Sequence, residues 1–352
     1  MKQLMAILVI TTTLFGIQRD DPRQVIDLRG KWKFEIGDSK KYSDPNFDDK
    51  KWDEIFVPAD WENEGFAGYD GYAWYRKTFT LSADMKGKKL FLHLGYVDDA
   101  CAVYVNGKLI GEGGRFEPDF LTAYNQEQKM FIPSDILLYG KENIIAVRVF
   151  DTMQNGGIVR GKIGIFEHVD EIPLVVEFPE RWKFKTGDHD DWKNPEFNDS
   201  GWDKLLVPAK WDFQGYRDYN GYAWYRVTFD MPKNYSDGRL VLMLGMIDDV
   251  DETYLNGEQI GKTGRLRRNG DISTNNDYIK IRGYEIPRSL LKEKNNVVAV
   301  RVYDGLMDGG IYSGPIGIVS EKDFSRWERK ANRWNNYDDN PIDRFLRKLF
   351  SN

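Results

Sequence analysis

The chain has 352 residues, 41% hydrophobic and 30% charged, with 50 Lys+Arg against 56 Asp+Glu and a net charge of −6. Apolar content on that scale supplies two cores and excludes a disordered chain. The mildly acidic balance gives no global attraction to nucleic acid. One cysteine excludes an intrachain disulfide and a cysteine-based zinc site, and three histidines (His93, His168, His189) leave little for a multi-histidine metal centre. An aromatic content of 14% favours β-sandwich cores and flat ligand platforms.

Residues 1–20 read as an export signal. Lys2 is basic, Leu4 to Ile10 is wholly apolar, and the run extends to Ile17 before polar sequence begins at Arg19. The run is too short to span a bilayer, and no Cys follows it as a lipid anchor, so a secreted or periplasmic protein is expected. Cys101 then reads as core filler.

The remainder is one unit written twice. Trp32-Lys-Phe34 recurs as Trp182-Lys-Phe184, Val57-Pro-Ala-Asp-Trp61 as Val207-Pro-Ala-Lys-Trp211, and Gly71-Tyr-Ala-Trp-Tyr-Arg76 as Gly221-Tyr-Ala-Trp-Tyr-Arg226, all at an offset of 150. Asp98-Asp99 and Asn106-Gly107 recur at the same offset, whereas Ala146-Val-Arg-Val149 and Gly156-Gly-Ile158 recur at 153, which places three extra residues between Arg265 and Asn295. So long a repeat is a domain duplication rather than a solenoid unit. The domains are expected at 23–170 and 174–322, joined by the short Asp170-Glu-Ile-Pro173 and therefore touching.

Within each unit the pattern is strands and turns. Leu90-Phe-Leu-His-Leu94 and Leu240-Val-Leu-Met-Leu244 carry Leu at period two, and Ile144–Phe150 and Val297–Tyr303 are strong strands. Asn106-Gly107, between Val103-Tyr-Val105 and Leu109-Ile110, is a hairpin turn whose residues tolerate positive φ. The alternating βαβ pattern of a parallel sheet or a TIM barrel is missing. The expected fold class is all-β: two tandem jelly-roll β-sandwiches with a short C-terminal helix.

The order of elements carries a resemblance. Each unit has a Trp-Lys-Phe strand, a Pro-x-Phe-x-Asp-x-x-Trp turn (Pro45 to Trp52, Pro195 to Trp202), Val-Pro-Ala-x-Trp, Gly-Tyr-Ala-Trp-Tyr-Arg, a strand ending in Asp-Asp, a Tyr-x-Asn-Gly or equivalent hairpin and a Gly-Gly-Ile turn. This resembles the N-terminal sugar-binding jelly roll of family 2 glycoside hydrolases, such as β-galactosidases and β-glucuronidases. It is also similar to the galactose-binding-like domain of bacterial sialate O-acetylesterases. The resemblance implies tandem galactose-binding-like domains and a carbohydrate ligand. It does not supply catalysis, because family 2 hydrolases keep their glutamates in a following barrel of about 250 residues. Gly37-Asp38-Ser39 could suggest a serine nucleophile, yet the second unit reads Gly187-Asp188-His189, which favours a turn. Asp98-Asp99 and Asp248-Asp249 are expected to point to opposite sides of an extended chain, not to flank one glycosidic bond.

Sugar sites pair an aromatic plate with groups that grip hydroxyls. The candidates are Trp61, Tyr69, Tyr72, Asp98, Asp99, Arg115, Asp151 and Asn155 in the first unit, and Trp211, Tyr219, Tyr222, Asp248, Asp249, Arg265, Asp304 and Asp308 in the second. Loop carboxylates also make a structural calcium ion a candidate cofactor. Residues 326–352 form a basic tail in which Asn340-Pro341 opens a helix with Ile342, Phe345, Leu346, Leu349 and Phe350 on one stripe. That helix is expected to dock on the second sandwich, a partner enzyme or an anionic membrane face. The reading is an exported, non-catalytic carbohydrate-binding protein, accessory to a glycoside hydrolase or esterase. The rivals are a family 2-like or esterase-like hydrolase and a structural subunit that binds no sugar.

Overall fold

The structure, a computed structural model, describes residues 22–335 except 168–171, 234, 236–237, 266–276 and 307, with side chains through 329. The export segment and the helix expected from Asn340 lie outside the described residues. The first unit contains β1 (Arg23–Asp27), β2 (Gly30–Ile36), β3 (Asp53–Val57), β4 (Gly71–Thr80), β5 (Leu90–Val97), β6 (Ala100–Val105), β7 (Lys108–Gly113), β8 (Glu127–Ile132), β9 (Glu142–Asp151) and β10 (Ile158–Glu167). The second contains β11 (Val176–Glu177), β12 (Arg181–Thr186), β13 (Asp203–Leu206), β14 (Gly221–Phe229), β15 (Leu240–Asp248), β16 (Val250–Leu255), β17 (Glu258–Thr263), β18 (Ile281–Ile286), β19 (Asn296–Asp304) and β20 (Gly310–Ser320). One α-helix follows, α1 (Glu321–Asn335).

Each unit is a sandwich of a four-stranded and a six-stranded sheet. The first has the orders β1-β10-β5-β8 and β3-β2-β4-β9-β6-β7; the second repeats both with the equivalent strands. The pairs between these strands are antiparallel. Alternation drives the layering: on β4, Tyr75 and Phe79 join the inter-sheet core, while Trp74 packs outward with Trp52, Tyr42, Phe47 and Tyr104. The Asn-Gly hairpins form as their chemistry dictates, with φ of 48° at Asn106 and 51° at Asn256. Pairing places Ile132 and Ile286 opposite Leu90 and Leu240, at equivalent positions, and Asn143 and Asn296 opposite Phe79 and Phe229. The offset is therefore 154 at Ile286 and 153 at Asn296: the extra residues of the second unit enter before β18, and one is lost again before β19.

Helix α1 precedes the helix expected from Asn340 and is one that the sequence pattern did not mark. Ser320 caps it: its hydroxyl accepts from the Asp323 amide at 3.1 Å and donates to the Asp323 carboxylate at 2.7 Å. Phe324 and Trp327 then cover Val241 and Met243 of β15, Val319 of β20, and Ile172 ahead of β11. No described helix is long and apolar enough to cross a membrane.

Among the described residues, side chains of the two units meet, with Lys89 3.0 Å from Glu177. Glu180 accepts from the amide and hydroxyl of Ser134, and Arg181 pairs with Asp135 at 2.7 Å. Further on, Arg217 pairs with Glu112, and Arg115 lies 3.5 Å from Asp218 and 3.7 Å from Asp308.

Candidate metal centre and ligand-facing loops

Two crossings between the sheets meet at one end of each sandwich. Strand β5 belongs to the four-stranded sheet and β6 to the six-stranded one, so Asp98-Asp99 is the corner between them. Strand β9 ends at Asp151, and residues 152–157 carry the chain back to β10 in the four-stranded sheet. Asp99 turns the corner with φ 58°, a left-handed conformation that a short polar side chain tolerates. The two crossings are bonded together: Asp98 N–H donates to Gly157 O, and the Asp99 carboxylate accepts from the amide and hydroxyl of Thr152 at 2.9 and 2.6 Å.

This geometry corrects the expectation that neighbouring aspartates diverge. Carboxylate oxygens of Asp98, Asp99 and Asp151 all lie within 4.8 Å of one another, as do those of Asp248, Asp249 and Asp304. An extended strand would have separated the pair, but the corner turns both side chains toward the end of β9. Asp151 is 1% and Asp304 0% exposed. Neither oxygen of Asp151 has a hydrogen-bond partner; Oδ2 of Asp304 has none, while its Oδ1 accepts from the Leu306 amide at 3.3 Å. Burial first, then the charges of Asp98 and Asp99, push the Asp151 carboxyl up to about 7. Burial, with Asp249 next among the charges, does the same to Asp304, also to about 7. Asp98 is raised by burial and by Asp99, and Asp248 is pushed to about 8 by burial and by Asp249, with Lys210 opposing. Three crowded oxygen donors, without nitrogen or sulfur, suit a hard divalent cation such as calcium.

Other expected site residues have structural work. Trp61 and Trp211 are 0% exposed, so neither presents a ring face to a sugar. Each lies under its Gly-Gly-Ile turn: a Cβ on Gly156 would stand 2.2 Å from the Trp61 ring, and one on Gly309 at 2.2 Å from Trp211. Tyr69 and Tyr219 are half-buried; each hydroxyl donates to the carbonyl of Tyr72 or Tyr222 and accepts from Gly37 or Gly187 N–H. Tyr72 lies under the Arg148 guanidinium at 4.3 Å and beside Phe116 and Phe150; Tyr222 lies under Arg301 at 4.2 Å. Arg115 and Asp308 face each other across the interface between the units, and Lys210 holds Asp308 at 2.5 Å. Asn155 donates to Asp60 at 3.1 Å, and Arg265 is exposed. The triads thus gather Asp98, Asp99, Asp151, Asp248, Asp249 and Asp304, and the other ten stand outside them.

The Gly-Asp-x turns are structural as well. Asp38 accepts from Trp74 Nε1 at 3.1 Å and Arg148 Nε at 2.8 Å, and Asp188 accepts from Trp224 and Arg301 in the same manner. Each thereby fixes the arginine that covers Tyr72 or Tyr222.

Sequence reasoning missed the apolar rim. Phe120, Leu121 and Tyr124 in the β7–β8 loop and Met153 after Asp151 are exposed. The Ala123 amide donates to Asp99 O at 2.8 Å, and Phe120 meets Phe150 edge-on at 5.8 Å, so this loop is fastened beside the triad. The signal was present as three aromatics within Phe116–Tyr124, a stretch with turn residues on both sides. In the second unit the equivalent loop falls largely outside the described residues, and Leu306, Tyr278 and Ile279 are exposed there.

A β-glucuronidase of Formosa agariphila is 34% identical over 136 residues, covering 34% of this chain and 12% of its own. A β-galactosidase of Bacteroides ovatus is 26% identical over 178 residues, covering 47% of this chain and 18% of its own. The chain thus spans less than a fifth of the length of these curated relatives. A β-glucuronidase structure from Bacteroides uniformis aligns with a TM-score of 0.36 and 19% identity, over 81% of this chain and 28% of that one. The family described as the beta-galactosidase second all-beta domain matches residues 37–155 and again 186–305. Those stretches make up more than half of the sequence, and the chain belongs to that family.

Proposed function

We propose that this chain is an exported, non-catalytic carbohydrate-binding protein whose ligand lies against the loop end of the first sandwich. One observation carries the reading: exposed Phe120, Leu121, Tyr124 and Met153 surround an acidic corner to which their loops are tied. Aromatic faces stack on the C–H face of a sugar ring, and carboxylates accept from its hydroxyls. The site moves from the buried Trp61 and Trp211 to this rim. Membership of an all-β domain family whose matched relatives are named as glycosidases supports a glycan ligand and a hydrolase partner. The structural roles of Asp38 and Asp188 support the non-catalytic reading, because they leave the Gly-Asp-Ser stretch as a turn. The basic and apolar start at Lys2 to Ile10 supports export.

The test is a glycan-array screen of the full chain, repeated with Phe120→Ala/Tyr124→Ala. Saturable binding that falls at least tenfold in the double variant, with an unchanged circular dichroism spectrum, supports the reading. A blank array from folded protein, or full binding by the variant, sinks it.

A further inference from the structure

We propose that each unit holds a divalent cation with the chemistry of calcium at its corner, ligated by Asp98, Asp99 and Asp151 in the first and by Asp248, Asp249 and Asp304 in the second. The inference goes beyond the sugar reading: it shares the acidic corner with it but rests on the buried, unpartnered carboxylates, and calcium titration in the absence of sugar tests it independently.

The strongest is Asp151. It is 1% exposed, and neither carboxylate oxygen has a hydrogen-bond partner. A buried, ionised carboxylate is retained where a countercharge meets it. Its nearest acidic company makes the demand larger, since Asp98 and Asp99 put two more carboxylates within 4.8 Å. One oxygen from each carboxylate can meet a single ion, and three oxygen donors without nitrogen or sulfur fit a hard cation with the flexible coordination of calcium. The arrangement also occurs twice, with Asp304 fully buried and its Oδ2 unpartnered.

The two sites are unequal. Where the first unit has Asp60 the second has Lys210, which pairs with Asp308 at 2.5 Å and opposes the negative charge at Asp248. The first unit is the tighter site.

The experiment is calorimetric titration of the EDTA-treated full chain with CaCl2 and, separately, MgCl2, paired with thermal melts. The wild type is expected to show two saturable calcium sites, with calcium binding at least tenfold tighter than magnesium, and a calcium-dependent rise in Tm. Asp151→Asn should remove the tighter site and Asp304→Asn the weaker. The double variant should bind no calcium yet melt in EDTA at or above the wild-type temperature, because a buried charge is gone. Should a buried variant not fold, Asp98→Asn with Asp248→Asn, both half-exposed, gives the same loss. A folded wild type that neither binds calcium nor gains Tm at millimolar concentration overturns the proposal. So does a double variant that titrates like the wild type.

Discussion

The same backbone position is filled in the two units by opposite chemistries. In the first, Cys101 and Val103 on β6 face Gln128 and Met130 on β8, a buried and mostly apolar patch. In the second, register places Asp251, Thr253, Arg282 and Tyr284 at those positions. Arg282 is 0% exposed and donates Nε to Asp251 at 2.9 Å and further N–H groups to the carbonyls of Lys280, Asp277 and Asp249. Asp251 also accepts from Thr253 and Tyr284 at 2.9 and 2.8 Å. The strand orders are nevertheless the same. Topology is set by the alternation shared by both units, while the filling of one buried site is free to change if every polar group is satisfied. The ionic version gains a function that the apolar one lacks, because Arg282 fastens the backbone at Asp249 and at residues 277–280 beside the second triad.

The comparison breaks most sharply at that network. Asp251→Ala strands Arg282 in the interior and is expected to cost about 3–5 kcal/mol in urea unfolding. Cys101→Ala, its counterpart, should cost far less. Carrying the first unit's residues across, as Asp251→Cys, Thr253→Val, Arg282→Gln and Tyr284→Met together, should be neutral or stabilising. A chimera as unstable as Asp251→Ala would show that the apolar filling does not transfer.

Next in size is a test of likeness. Gly156→Ala and Gly309→Ala each drive a methyl into a buried tryptophan ring and should each cost about 1–3 kcal/mol. Unequal costs measured by thermal melts would show that one Gly-Gly-Ile turn can yield and the other cannot. Smaller still, Arg115→Ala removes partly exposed ion pairs that join the units. It should lower stability by about 0.2–1 kcal/mol at low salt, with the difference shrinking at high salt.

The smallest effect is one of pH. Burial tends to raise the Asp188 carboxyl, but hydrogen bonds from Arg301 and Trp224 outweigh it and hold the group below its ordinary 3.8. A lowered pKa contributes stability that is full above the ordinary value and lost as pH falls through the lowered one. The Tm gap between wild type and Asp188→Asn should therefore be widest near neutrality and close on acidification below 3.8. Asp38, held down in the same way, should behave alike. A gap independent of pH would assign the effect to the Trp224 contact alone.

Much of the fold was legible in the residues, and less of the site. Period-two Leu in Leu90–Leu94 marked β5, Asn106-Gly107 marked the hairpin of β6 and β7, and the repeat itself announced two units with one topology. These signals are local, or compare the chain with itself, and need no knowledge of what packs on what. Trp61 could stand only as a candidate plate, because a tryptophan in a loop motif looks the same whether the loop lies beneath it or on top. Arg115 was read as a ligand grip, but its partners Asp218 and Asp308 belong to the other unit. The convergence of Asp98, Asp99 and Asp151 depended on two sheet-to-sheet crossings meeting at one corner, although 98 and 151 are far apart in sequence. By itself, then, the sequence determined the duplication, the strands and their turns, since periodicity and backbone preference act over a few residues. Only the tertiary structure decided which aromatics are core, which charges join the units and which carboxylates are forced together, because each of those depends on distances between segments that no local pattern encodes.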